Sequence, residues 1–171
     1  MRRAVYFRAF SFCLPIAAAI AITTPAQAAG NEPHEAGPHI HRHHISGFAG
    51  GVYERTEGGS AAFGLDYMYR LPYFGDYISI GALFETTTHV TKPMLFAVPF
   101  QVHPYKGLRV IVAPGFEVSH REHKWTPWFL LRAGGAYDIH FGSWAIGPEM
   151  YADFSRGEIA GIFGGSLGYG F

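Results

Sequence analysis

Cysteine is nearly absent from the 171 residues: Cys13 is the only one. It lies in the first 28 residues, so the rest of the chain has no disulfide framework and no cysteine metal site. Lysine occurs only at positions 92, 106 and 124, and the 13 basic residues are matched by 13 acidic ones. A balance of that kind offers no basic stripe, and no nucleic-acid partner is expected. After the first 28 residues no apolar run approaches the ~20 residues that a membrane helix needs. Helical spacing of apolar residues is nowhere sustained. What the chain does have is glycine, 22 residues, together with 15 Phe, 10 Tyr and 3 Trp.

Residues 1–28 read as a secretory signal peptide cleaved near Ala28. Arg2 and Arg3 give the positive start, the stretch from Ala4 to Ile22 is mainly apolar, and Ala26-Gln27-Ala28 places small residues at the cleavage site. Arg8, Pro15 and the lack of a stop-transfer pattern argue against a retained helix, and no lipoprotein box surrounds Cys13. Cleavage leaves 10 basic and 13 acidic residues, a net charge of about −3 with histidine neutral. Residues 29–43 form a His-rich arm, expected to be flexible and periplasmic. His34, His39, His41, His43 and His44 crowd this region beside Glu32 and Glu35. Neutral imidazole suits Zn, Ni or Cu, which makes these five a candidate metal site. Their spacing matches no closed tetrahedral site, and a solvated linker is the plainer alternative. No other cofactor is expected.

From residue 44 onward, short alternating segments are separated by Gly, Pro, Asp or charged turns. Eight strands are expected, at 44–54, 60–71, 77–86, 93–103, 108–118, 126–141, 144–154 and 158–171. Most are close to the ~9–11 residues that let a tilted strand cross a bilayer. In the second strand Ala61, Phe63, Leu65, Tyr67, Tyr69 and Leu71 share one face, and Ala62, Gly64, Asp66, Met68 and Arg70 the other. The last strand sets Ile159, Phe163, Leu167, Tyr169 and Phe171 against Glu158, Ala160, Ser166 and glycines. From the second strand on, the apolar face carries almost no charge. A soluble barrel would have to turn that face inward, and eight strands enclose too little space for so many rings. The expected fold class is therefore all-β, an eight-stranded antiparallel up-and-down transmembrane β-barrel over residues 44–171. Strand one is the exception: both of its faces are mixed, its register is open, and a bulge is a possible explanation.

An even strand number puts both ends of the barrel on the periplasmic side, with turns near 72–76, 104–107 and 142–143. The loops near 55–59, 87–92, 119–125 and 155–157 then face outside. Aromatic girdles are expected at both interfaces: Tyr73, Phe74, Tyr77, Tyr105, Phe141, Trp144 and Phe171 below, and Tyr53, Phe84, Trp125, Trp128 and Phe154 above. If Gly142-Ser143 is a two-residue turn, Arg132 falls opposite Asp153 as an inward ion pair, Glu149 opposite Ala136 and Asp138 opposite Gly147. The expected interior charge network is Asp66, Arg70, Glu85, Arg109, Glu117, Arg132, Asp138, Glu149 and Asp153. One reading is a filled, locked interior. The other is a narrow ion path gated at Arg132, whose carboxylate excess would favour cations. A third class, a lipid-modifying enzyme, would draw on Ser119, His120, Glu122 and His123, although neighbouring strand residues point oppositely. No catalytic residue is assigned. The external loops are short, which argues against adhesion.

The signal peptide, alternating strands and final Phe171 together resemble the small eight-stranded outer-membrane barrels of the outer-membrane protein A and X type. The segments Gly64-Leu65-Asp66-Tyr67-Met68-Tyr69-Arg70-Leu71, Ala113-Pro114-Gly115-Phe116-Glu117, Arg132-Ala133-Gly134-Gly135-Ala136-Tyr137 and Asp153-Phe154-Ser155-Arg156-Gly157-Glu158 are similar to those of a group of small proteobacterial barrel proteins. The resemblance implies a monomer in the bacterial outer membrane, surrounded by lipid and lipopolysaccharide. It also implies periplasmic chaperones and the barrel-assembly machinery as biogenesis partners, with Tyr169 and Phe171 as the assembly signal. None of the segments matches the His and Ser motif of the lipid A deacylases. No peptidoglycan-binding domain follows the barrel, so the wall-anchoring role of the larger protein A family is not implied.

Overall fold

A computed structural model describes residues 41–54, 58–74, 76–88, 93–121 and 124–171. The signal segment, His34 and His39 lie outside the described residues. Ten strand segments follow in order: β1 (His43–Glu54), β2 (Gly58–Arg70), β3 (Ile78–Thr87), β4 (Met94–Ala97), β5 (Phe100–Tyr105), β6 (Leu108–Arg121), β7 (Lys124–Tyr137), β8 (Ile139–Phe141), β9 (Trp144–Ser155) and β10 (Glu158–Gly170). All pairings are antiparallel. The ladder between β1 and β10 closes the sheet on itself, from His44 opposite Gly170 to Glu54 opposite Ala160.

The segments make eight barrel strands because two are broken. β4 and β5 are one strand interrupted at Val98-Pro99, where proline has no N–H to offer the ladder. The chain stays in register there: Val98 N–H donates to the Pro114 carbonyl, and the Pro99 carbonyl accepts from Gly81 N–H. β7 and β8 are one strand with a break at Asp138, where the chain also stays in register: Asp138 N–H donates to the Gly107 carbonyl, one step on from Leu108 opposite Tyr137. The fold is thus a closed eight-stranded antiparallel barrel, as the alternation predicts.

Strand one pairs without a shift on both sides, so it contains no bulge. The irregularity lies elsewhere, between Val102 and Tyr105 on β5. In β1 the face Ser46, Phe48, Val52 turns inward and Ile45 and Tyr53 turn outward. Phe48 fits inside because a Cβ at Gly50 or Gly164 would lie 2.6 or 2.7 Å from its ring. That close approach needs glycine on both strands.

Outward residues are apolar along nearly the whole barrel. Phe163 is 62% exposed and Met150 70%, while their neighbours Ile162 and Tyr151 are buried. Water would not tolerate so continuous an apolar belt, far larger than the few hundred Å² patches of soluble proteins. With every ladder closed and no free sheet edge, the barrel satisfies its backbone in lipid. It is a membrane-spanning barrel.

Candidate functional site in the barrel interior

Inward-facing charge is arranged in clusters along the barrel axis. The Gly142-Ser143 turn sets Phe141 opposite Trp144, and the same strand pair places Arg132 opposite Asp153 and Ala136 opposite Glu149. Arg132 is 1% exposed. Its Nε and Nη2 donate to the two oxygens of Asp153 at 2.7 and 2.8 Å. Its Nη1 and Nη2 also donate to the two oxygens of Glu85 on β3, at 2.7 and 2.9 Å. The planar guanidinium therefore grips two carboxylates at once, using the geometry that lysine lacks.

Arg109 on β6 anchors a second cluster nearer the end where the barrel's two chain ends meet. Its Nη2 donates to Asp138 at 2.9 Å and to Glu149 at 2.7 Å, and its Nε lies 2.8 Å from the other Asp138 oxygen. Tyr151 stands between the clusters. Its hydroxyl donates to Glu149 at 2.7 Å, and the Arg132 guanidinium sits 5.1 Å from its ring centroid. Asp66 accepts a hydrogen bond from Ser46, joining β2 to β1.

At the opposite end Arg156 reaches over the barrel mouth from the β9–β10 turn. Arg156 and Gly157 both have positive φ, 55° and 76°, the pattern of a two-residue primed turn. Its Nη2 donates to Glu117 and to Ser119, each at 2.6 Å, and its guanidinium lies 5.3 Å from the Trp128 ring centroid. Sequence reasoning passed over Arg156, because a turn residue carries no alternation signal. Trp128 departs from the expected girdle: it shares the inward face with Leu130 and Arg132 and lies against Arg156. Beneath this mouth lies a cup of about 270 Å³, lined by Glu54, Glu85, Glu117, Asp153 and Glu158 together with Val52, Leu95 and Leu130.

Below the cup, Phe48, Val52, Ile111, Tyr151 and Ile162 pack into one apolar cluster across the interior. A second cavity there measures only about 20 Å³, room for roughly one water. All nine expected network residues lie on inward faces. The structure joins Arg132, Glu85 and Asp153, then Arg109, Asp138 and Glu149, and pairs Glu117 with the unforeseen Arg156.

Of the histidine group, the described members do not share one face: His43 is parted from His41 and His44. His43 turns outward, its Nδ1 2.7 Å from the Tyr67 hydroxyl and its ring stacked on Phe171. His44, the next residue, turns inward over Gly168, and His41 lies over Gly170. Adjacent strand residues cannot ligate one ion from opposite faces. Among the described residues no group of three or more His, Cys, Asp or Glu could hold a metal. Ser119 is 2% exposed and faces the interior, away from the outer rim that a lipid-modifying enzyme would use. The side chain of His120, with Glu122 and His123, lies outside the described residues.

No protein-family model matches the chain, and no curated protein does. Solved structures are similar in fold. A de novo designed protein, TMB2.3, is 14% identical, with 74% of this chain and 93% of that one covered, at a TM-score of 0.51. The N-terminal β-barrel domain of OprF from Pseudomonas aeruginosa is 14% identical, covering 76% of this chain and all of that one, at 0.48. Ail, the attachment invasion locus protein of Yersinia pestis, is 14% identical over 75% and 96%, at 0.48.

Proposed function

We propose that the chain is an outer-membrane barrel with a structural role in the envelope, closed to ions by its own side chains and without catalytic chemistry. The observation that carries this reading is Arg132, held by four hydrogen bonds to Glu85 and Asp153 directly above the Phe48–Tyr151 packing. An ion would have to separate that triad and also displace the two rings. Taking one partner out of a buried ion pair costs about 3–5 kcal/mol, so spontaneous opening is rare. Location in the outer membrane fits the strand-crossed apolar belt, since barrels of this kind are the spanning architecture of that membrane. An export signal over residues 1–28 agrees with that location.

Planar-bilayer recording of the purified barrel tests the closed reading. Wild type is expected to show no steady conductance above the lipid background. Arg132→Ala is expected to show brief, cation-preferring events, because Glu85 and Asp153 remain. Steady conductance in the wild type would overturn the reading.

A further inference from the structure

Two unlike walls face each other in the cup at the barrel mouth. The register sets Glu54 opposite Ala160 and Ala160 opposite Asp153, so two carboxylates flank one small residue. Glu158 follows two positions along β10, on the same inward side. Leu95 stands on β4, four strands from β10 in either direction around the closed sheet, and with Leu130 it forms a buried apolar patch on the cup. The space between these walls, about 270 Å³, has the room of roughly nine waters. The same lining already receives one organic cation, which the chain itself supplies: the Arg156 guanidinium, held by Glu117 and Ser119 against the Trp128 ring.

We propose that the cup binds a small aliphatic ammonium compound, its head between Glu54 and Asp153 and its hydrocarbon chain along Leu95 and Leu130. Carboxylates at an open rim are ordinarily only solvated. Here they share one cavity with an apolar wall, and each methylene moved from water onto that wall favours binding. Ala160 leaves the gap between the two carboxylates unfilled. They stand two strand spacings apart, roughly 10 Å between Cα atoms, a span that a Glu and an Asp side chain can close upon one ammonium. Asp153 gives one oxygen to each of two Arg132 nitrogens, and a carboxylate with about four acceptor positions has capacity left.

The field of the cup has the matching sign. Among the described residues of its lining and floor, five carboxylates meet two guanidinium groups, Arg132 and Arg156, a balance of about −3. The loop sequences bordering this mouth add Arg55, Lys92, Arg121 and Lys124 against Glu57 and Glu122, which still leaves about −1. A metal ion fits the cup less well than an ammonium. An ammonium needs two acceptors and a water for its third N–H, whereas no three ligating groups converge on a metal among the described residues. The proposal does not rest on the closed interior: retention above the Arg132 triad and conduction past it are read by different measurements.

Isothermal titration of the full barrel in detergent with n-pentylammonium chloride tests the site, near pH 7.5, at constant ionic strength and corrected against empty micelles. Saturable binding with a Kd of about 1 mM is expected, well within the reach of so small a ligand. 1-Pentanol keeps the chain without the charge, and methylammonium the charge without the chain. Each should bind at least ~10-fold more weakly. Glu54→Gln combined with Glu158→Gln should weaken pentylammonium binding about 10-fold, and Arg156→Gln should tighten it about 3-fold, because the chain's own cation no longer opposes the ligand. No saturable binding below about 10 mM, or pentanol binding as tightly as pentylammonium, would overturn the proposal. So would a double Gln variant that binds like wild type, or weaker binding by Arg156→Gln, which is the mark of an anion site. The ligand series uses wild type alone, so it decides the matter even where a variant fails to fold.

Discussion

Replacing Arg132 by methionine removes the cation while leaving most of the side-chain volume. Glu85 and Asp153 would then face one another in the interior, where they are only 3% and 8% exposed. Four charge-assisted hydrogen bonds disappear, and so does the guanidinium over Tyr151. Breaking a buried ion pair from one side costs about 3–5 kcal/mol, because the surviving charges keep their desolvation penalty. An equilibrium constant for folding should fall by roughly 10²–10⁴. The cup bounds the loss: it touches both Glu85 and Asp153, and water from it can solvate them in part. Urea unfolding in lipid vesicles, followed by tryptophan fluorescence and by heat-dependent gel mobility, measures the change. The triple variant Arg132→Met, Glu85→Gln, Asp153→Asn separates lost attraction from stranded charge, and it should recover most of the stability. A single Arg132→Met variant within about 1 kcal/mol of wild type would refute the argument. A triple variant no better than the single one would show that packing, rather than charge, is what Arg132 supplies.

Phe48→Ala should destabilise the barrel by about 3–5 kcal/mol in the same assay, since Gly50 and Gly164 cannot fill the space that its ring vacates. Phe163→Arg, on the outward face near the middle of β10, should lose about 2–4 kcal/mol in vesicles, while Tyr53→Arg near the strand end should lose about 0–1. Equal losses at the two positions would place the bilayer elsewhere on the barrel. Arg156→Ala should change stability by less than about 1 kcal/mol, because the Arg156–Glu117 pair is only partly buried. It should still shift the Trp128 emission, and an unchanged spectrum would mean that the stacking does not persist in solution.

The outward faces are legible in the sequence because lipid imposes the same demand at every second residue. Strands such as β2 and β9 keep their period-two pattern over the whole crossing, and the pattern is local in sequence. Neither strand break follows from that alternation, and the reasons differ. Pro99 carries a usable signal, the missing donor, whereas Asp138 looks like any inward polar residue and keeps its bond to Gly107. Hairpin counting from Gly142-Ser143 is enough to set Arg132 against Asp153, since the two strands are neighbours in sequence. Glu85 joins that pair from β3, across the interior, and no register along one hairpin reaches so far.

Strand one shows why the interior resists such reading. A lipid-facing position needs only to be apolar, but an inward position must match whatever volume the far wall leaves. Phe48 is acceptable there solely because β10 supplies Gly164 opposite Gly50, and β10 is the last strand to be made. Met68 and Tyr151 are likewise bulky inward residues: alternation puts them on the faces of Asp66 and Asp153 but does not say what they pack against. Their places are set by complementarity between distant strands, as in any closely packed core. The same dependence explains the histidines. His103 on β5 meets Ser79 of β3 across the sheet, a partner that nothing in its local sequence names. Crowding along the sequence placed His43 beside His44, and strand geometry then sent the two rings to opposite sides of the wall.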